Sequence, residues 1–355
     1  MSSEPSTPYL ALDVDVMRAN LGAMATRMRE RGVGLRPHAK THKCVEIARE
    51  QLALGAHGLT VATISEAETF AASGVRDLFI AYPIWAAGNR GERLRAVAEQ
   101  TALSVGVDSS DAARQIARAL AGSPVHVLLE IDCGHHRSGV LPADAGELAT
   151  AVERAGLEVS GIFTFPGHSY DPVGRATAAT DEARALALAA QACRAVGIEV
   201  AIRSGGSTPS AEFADADVLT ELRPGVYVFN DAQQAELGTC DWADVALVAM
   251  GTVVSRRDRS FILDAGSKTL GADRPAWTTG WGRLPDHPGA RVVALSEHHA
   301  TVQLPEDADR PALGDVLRIA PNHVCNAVNL ADEFVVMSGG AAIDRWRIAA
   351  RGANT

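Results

Sequence analysis

Two short stretches carry side chains suited to chemistry rather than to filling a core. They are Pro321-Asn322-His323-Val324-Cys325-Asn326 and Arg36-Pro37-His38-Ala39-Lys40-Thr41-His42-Lys43. In the first, an imidazole and a thiol stand two residues apart. In an extended segment residues i and i+2 point to the same side, so His323 and Cys325 can face one metal ion. Imidazole with thiolate favours zinc. Two ligands are only part of a shell, and an isolated His-x-Cys pair can equally bind nothing. In the second stretch the apolar Val33-Gly34-Leu35 run leads into Lys40, and a helical pattern follows. Such strand-to-helix junctions are where α/β enzymes put reactive groups. A buried lysine near a second cation has a lowered pKa and can form a Schiff base, and His38 and His42 flank Lys40. The competing reading is a solvated residue at a strand end. A zinc-protease helix is excluded, because Ala39 stands where its glutamate belongs. Lys43 reads as a first-turn residue of the next helix.

Ser204-Gly205-Gly206-Ser207-Thr208 follows an apolar strand pattern and precedes a short helix. Glycines expose backbone N–H groups and a helix N-terminus attracts anions, which together with the hydroxyls makes a phosphate cradle. A plain turn between strand and helix explains the same residues. No Gly-x-Gly-x-x-Gly or Walker motif occurs, which disfavours dinucleotides and nucleoside triphosphates. Asp132-Cys133-Gly134-His135-His136-Arg137 follows another apolar run. Adjacent histidines in a strand point to opposite faces and suit a metal poorly. Arg137 reads as an anion or phenolate partner, or as an ordinary surface arginine.

The elements that must position these groups alternate. Strand patterns cover residues 34–38, 58–63, 77–82, 103–107, 125–131, 159–163, 199–203 and 226–230. Amphipathic helices are expected at 43–54, 65–73, 109–120 and 177–195. Short strands, apolar on both faces and separated by helices, are the pattern of a parallel sheet. Eight slots predict a (β/α)8 barrel, and the polar residues at the strand ends fall where such barrels do chemistry. After about residue 244 the pattern becomes strands at 245–255, 260–264, 291–295, 300–304 and 315–320, with no helix between them. This predicts a barrel over 1–243 and a mostly antiparallel β domain over 244–355, with residues up to about 20 able to pack against the latter.

The 355 residues, 47% of them hydrophobic, suffice for a large domain and a smaller one. The net charge of −10 argues against nucleic acid as a partner. Five scattered cysteines argue against a disulfide framework. Residues 1–10 carry neither a basic flank nor a long apolar run, so neither signal peptide nor membrane span is expected, and the expected location is the cytoplasm.

Together the motifs resemble those of the fold-type III pyridoxal-phosphate enzymes, specifically the D-serine dehydratase and D-threonine aldolase group, over nearly the whole chain. Arg36-Pro37-His38-Ala39-Lys40-Thr41-His42-Lys43 is similar to that group's Schiff-base segment, which implies that Lys40 holds the cofactor and that His38 contacts it. Asp132-x-Gly134-x-x-Arg137-x-Gly139-Val140 resembles the segment of its cofactor-contacting arginine. Gly167-His168-Ser169-Tyr170 resembles the segment beside the pyridine ring, implying roles for His168 and Tyr170. Ser204-Gly205-Gly206-Ser207-Thr208 is similar to its phosphate loop, and Arg223-Pro224-Gly225-x-Tyr227 to a segment closing on the same phosphate. Leu263-Asp264-Ala265-Gly266-Ser267-Lys268 and Pro321-x-His323-x-Cys325 are similar to landmarks of its β domain. Phe165 is a departure, since relatives carry a histidine there.

The resemblance implies a barrel plus a β domain, pyridoxal 5'-phosphate, zinc on His323 and Cys325, and a small D-amino acid as substrate. It also implies a homodimer whose active site lies at the interface, with the loop 271–284 reaching the partner. His-x-Cys leans toward the dehydratase, which converts D-serine to pyruvate and ammonium. The aldolase pattern is His-x-Asp, whose carboxylate suits manganese or magnesium. Retro-aldol cleavage to glycine and an aldehyde is therefore the alternative. A racemase needs two bases and no metal, and a non-catalytic cofactor carrier is a single barrel, so both fit less well.

Overall fold

The strand β1 (Tyr9–Asp13) is followed by a helix, Val14–Arg31, and then by eight strands that alternate with helices in a computed structural model describing residues 5–306 and 308–355. The eight are β2 (Gly34–Leu35), β3 (Leu59–Val61), β4 (Asp77–Pro83), β5 (Ala102–Val107), β6 (His126–Glu130), β7 (Glu158–Phe163), β8 (Ile202–Gly205) and β9 (Glu221–Leu222). They form one parallel sheet in the order β2-β9-β8-β7-β6-β5-β4-β3. A parallel bridge between His38 and Thr60 joins the two end strands. Ala39 N donates to Thr60 O, and Thr60 N donates to Pro37 O, both at 2.8 Å. The sheet thus closes two residues before Lys40, and closure removes the unpaired edges of an open sheet.

Local sequence explains the helices. Thr63 accepts from the Glu66 N–H at the start of Ile64–Ala72, and Ser109 accepts from the Ala112 N–H at the start of Ser110–Ala119. Each cap satisfies an N–H the helix leaves open, and replacing one by alanine costs about 1 kcal/mol. Ile64, Ala67, Phe70 and Ala71 form the buried stripe of the first of these helices.

Seven expected strand slots hold strands, with shifted ends. The eighth does not. Residues 226–230 read as a strand, but Val226–Val228 is a 3-10 turn, with Phe229 N and Asn230 N both donating to Val226 O. The strand that completes the barrel is Glu221–Leu222. Its signal is masked by a charge: Glu221 is 5% exposed, paired with Arg36 at 2.9 Å, and accepts from Ser204 Oγ at 2.6 Å. A carboxylate survives burial when it is paired and hydrogen-bonded. Lys43 also differs from expectation. The helix starts at Val45, and Lys43 precedes it with φ 51, its Nζ donating to Asn329 Oδ1 at 2.7 Å.

Inside the barrel, Phe79 and Phe163 meet edge to face at 5.1 Å beside Leu128. The buried Arg223 guanidinium lies over both rings, at 5.6 and 5.3 Å, and donates to Ser204 Oγ and Thr164 O.

The second sheet is mostly antiparallel. It contains β1, β10 (Leu247–Arg256), β11 (Ser260–Leu263), β12 (Gly282–Arg283), β13 (Arg291–Leu295), β14 (Ala300–Gln303), β15 (Val316–Pro321), β16 (Glu333–Ser338) and β17 (Ala341–Arg347). Among the described residues of this sheet only the β1–β16 pair is parallel. Two short helices, Ser267–Leu270 and Val324–Leu330, interrupt the strands, contrary to the expectation of none. Each is too short to show a helical repeat of apolar residues. Ala11, Ala232, Val245, Val248 and Ala320 pack as a core cluster here. The chain divides into two compact units. One holds 24–40, 47–225 and 353–355; the other holds the segment ending at Ala23, Thr41–Glu46 and Val226–Gly352. No helix among the described residues is long and apolar enough to cross a membrane.

Candidate active site

At the C-terminal ends of the barrel strands the structure gathers Lys40 after β2, Arg137 after β6, His168 and Tyr170 after β7, and Ser204–Thr208 at the end of β8. These ends converge because every strand runs in the same direction. His38, whose backbone closes the barrel, accepts at Nδ1 from the Lys40 N–H at 3.5 Å. Lys40 is partly exposed, with Nζ 5.7 Å from the centroid of Phe165. The Arg137 guanidinium lies over the same ring at 4.9 Å. His135 meets it edge to face at 5.5 Å, and Tyr170 lies 6.5 Å away. Phe165 therefore joins four side chains that come from three different strand ends. Desolvation and the positive charge of Arg137 and His168 hold the His135 imidazole below its ordinary value.

Both ring nitrogens of His168 are buried without a hydrogen bond, although Nε2 lies 3.4 Å from Asp181 Oδ2. Buried ring nitrogens without a hydrogen bond cost free energy, which a ligand can offset. Gly134 borders that ring. Its φ is 110, and a Cβ there would stand 3.6 Å from His168 Cε1.

The loop expected to cradle phosphate is held tightly from below. Ser204 Oγ donates to Glu221, the Gly206 N–H donates to Glu182 Oε1 at 2.7 Å, and the Ser207 N–H donates to Ser210 Oγ at 3.0 Å. Ser207 Oγ also lies 2.8 Å from Ser169 Oγ. Ser204, Gly206 and Ser207 thus spend these donors on shaping the loop. Gly205 accepts at its carbonyl from Arg223 N, and Thr208 is nearly buried. Gly206 has φ 80, which favours glycine. Burial pushes the Glu182 carboxyl up, against the hydrogen bonds from Thr164 and Gly206. Tyr227 is buried in the 3-10 turn and clusters with the other compact unit.

His323 and Cys325 are not in a strand. His323 is the N-cap of Val324–Leu330, and Cys325 lies in its first turn. The pair still interacts. Desolvation opposes charge on His323, but Cys325, Asp273 and Asp231 hold its imidazole well above the ordinary range. The Cys325 thiol donates to Thr41 Oγ1 at 3.3 Å. His323 Nδ1 lies 2.5 Å from Asp273 Oδ2. Asp231, fully buried, accepts from the Val324 N–H at 3.0 Å and the Gln234 N–H at 2.9 Å. Burial pushes its carboxyl up to about 6. Among the described residues no three His, Cys, Asp or Glu side chains gather as a metal-binding group.

Asp273 and Asp231 escape a sequence reading. Asp273 lies 50 positions before His323 in a Gly- and Pro-rich stretch, and nothing local marks it. Asp231 carries the signal of a helix cap, which its short helix Ala232–Glu236 uses. The chemistry of the donors fits both implied groups. A lysine amine, an imidazole whose ring nitrogens make no hydrogen bond and an arginine at one barrel mouth suit an anionic aromatic aldehyde. An imidazole and a thiol suit zinc.

A closed parallel barrel with a lysine at its mouth, carried together with an antiparallel sheet, defines the alanine racemase-like class. The alanine racemase N-terminal domain matches residues 12–233, and a putative serine dehydratase domain matches 246–337. A D-threonine aldolase of Arthrobacter sp. is 37% identical over 98% of this chain and 93% of its own length. A D-threo-3-hydroxyaspartate dehydratase of Delftia sp. strain HT23 is 35% identical over 96% of each. A solved cysteine-to-alanine mutant of D-threo-3-hydroxyaspartate dehydratase, in a metal-free form, superposes with a TM-score of 0.90 at 32% identity, covering 97% of each chain. The chain belongs to the D-serine dehydratase and D-threonine aldolase family of fold-type III pyridoxal-phosphate proteins.

Proposed function

We propose that the protein is a pyridoxal-phosphate- and zinc-dependent lyase that removes water from a β-hydroxy-D-amino acid, taking D-serine to pyruvate and ammonium. The observation that carries this reading is the contact of Cys325 with Thr41, the residue bonded to Lys40. It sets the thiol of the proposed metal pair against the residue that follows Lys40 in the sequence. The metal-free cysteine-to-alanine form of the relative supports the pair as a metal site. In that relative, variants of a histidine and a cysteine two positions apart have both been solved, the spacing of His323 and Cys325.

In this reading Lys40 holds the cofactor, and Arg137, His38, His168, Tyr170 and the Ser204–Thr208 loop contribute to its binding. Bound, pyridoxal phosphate supplies an electron sink for charge at Cα, and zinc supplies Lewis acidity toward a β-oxygen. The Lys40 amine takes the proton from Cα, and the Phe165 face keeps that amine beside an apolar surface. The His168 ring nitrogens, which make no hydrogen bond within the chain, offer one to whatever enters. Cys325 and His323 give up protons to bind the metal, which makes loading weaker at low pH. Arg223 and Glu182 touch neither group and hold the Ser204–Thr208 loop in place from inside the barrel.

A second reading is retro-aldol cleavage, favoured by the 37% identical D-threonine aldolase. The test is product analysis with D-serine, L-serine, D-threonine and D-threo-3-hydroxyaspartate. Keto acid and ammonium from the D-enantiomers support dehydration. Glycine plus acetaldehyde from D-threonine, formed faster than pyruvate from D-serine, would move the assignment to the aldolase.

A further inference from the structure

We infer that Asp273 is a positioning residue for the metal site: it holds Nδ1 of His323 and leaves Nε2 as the only ring nitrogen that can coordinate. This rests on the metal reading proposed above. An imidazole can present either nitrogen, and the hydrogen bond at the other one sets which. Asp273 Oδ2 lies 2.5 Å from His323 Nδ1. A carboxylate only accepts, so Nδ1 carries the proton in this pair.

The surrounding chain is built to deliver that contact. Gly271, two residues earlier, has φ 75, and a Cβ there would stand 2.9 Å from the Asn326 Cβ. Only glycine lets the segment turn this closely against the helix that carries Cys325. On the other side, Asn322 Nδ2 donates to Gly280 O at 2.8 Å. The stretch from 271 to 284 is therefore held against Asn322, His323 and Asn326 of its own chain. The backbone of His323 is restrained as well. Gln233 N donates to Asn322 O at 3.3 Å, and Asp231 Oδ2 accepts from Val324 N at 3.0 Å. With the backbone held on both sides and Nδ1 taken, the ring has one nitrogen left.

Asp273 differs in kind from a third ligand, because a carboxylate bonded to a ligating imidazole fixes its tautomer and raises its basicity. The test is zinc affinity by competition with a chromophoric chelator, measured on the full-length protein loaded with pyridoxal phosphate. Losing such an outer partner weakens metal binding about 10–100-fold, so Asp273→Ala should fall in that range. Asp273→Asn keeps an acceptor oxygen without the charge and should lie between. Cofactor absorbance should stay as in the unmodified protein, since the change is confined to the metal. In a His323→Ala background, Asp273→Ala should have no further effect. A further loss there would make Asp273 a ligand in its own right and overturn the inference. So would an Asp273→Ala protein that holds zinc as tightly as the unmodified one. If the unmodified protein takes up no zinc at all, the metal reading falls and this inference with it.

Discussion

The thiol of Cys325 donates to the hydroxyl of Thr41 across 3.3 Å, although 284 positions separate them. A residue of the short helix Val324–Leu330 thereby touches the sequence neighbour of Lys40. The predictions follow from that contact and from the side chains around Lys40 and around His323.

Lys40→Ala should reduce turnover by about 10²–10⁴-fold or more, the range of a lost proton-transfer group. Borohydride treatment of the unmodified protein should attach the cofactor covalently to Lys40. Peptide mapping that finds it on Lys43 instead would refute the assignment. Lys43 is engaged elsewhere, its Nζ bonded to Asn329.

Zinc should be removable without losing the cofactor, because the lysine and the His-x-Cys pair are separate side chains. Cys325→Ala should lose metal and activity together while keeping the visible absorbance of the lysine-bound cofactor. Thr41→Ala should weaken metal binding only slightly, since a single neutral hydrogen bond contributes about 0.5–1.5 kcal/mol. Full activity toward D-serine after exhaustive chelation would show that the metal has no catalytic part.

Phe165 carries two cations on its ring, Lys40 and Arg137. Such contacts contribute about 0.5–1 kcal/mol each at exposed sites. Phe165→Leu should therefore loosen cofactor retention a few-fold without abolishing turnover. Phe165→His puts a titrating imidazole in the same place, and the pH profile of kcat should gain a group near the ordinary histidine value of about 6.5. An unchanged profile with normal cofactor content would show that position 165 does not face the reacting groups.

Burial raises the folded-state pKa of Glu182 above its ordinary value. Folding then favours its protonated form. That contribution is complete below the unfolded value of about 4.3 and is lost as pH rises through the raised folded value. Glutamine is neutral throughout and can still accept from Thr164 and Gly206. The stability of the unmodified protein should therefore fall relative to Glu182→Gln as pH rises from about 4 toward neutrality. Urea midpoints across that range measure the difference, and parallel curves for the two proteins would contradict it.

The alternation of short apolar runs with helical patterns was enough to read a barrel, because parallel strands and their covering helices impose different periods on the chain. Lys40, His323 and Cys325 stand out as candidates in the sequence, since few residue types can form a Schiff base or bind zinc. Beyond that, local pattern misled in a consistent way. Val226–Val228 has the composition of a strand and is a turn, whereas Glu221–Leu222 completes the barrel with a buried acid. Only the arrival of Arg36 and Ser204 makes that acid tolerable. His323 and Cys325 looked like one face of a strand and are a helix cap and its first turn. Asp273 and Thr41 acquire their places beside His323 and Cys325 from contacts 50 and 284 positions away, and no local pattern records them. Backbone periodicity and side-chain chemistry are properties of the sequence. Which buried charge finds a partner, and which ring nitrogen is left to bind, depends on what the folded chain brings within about 3 Å.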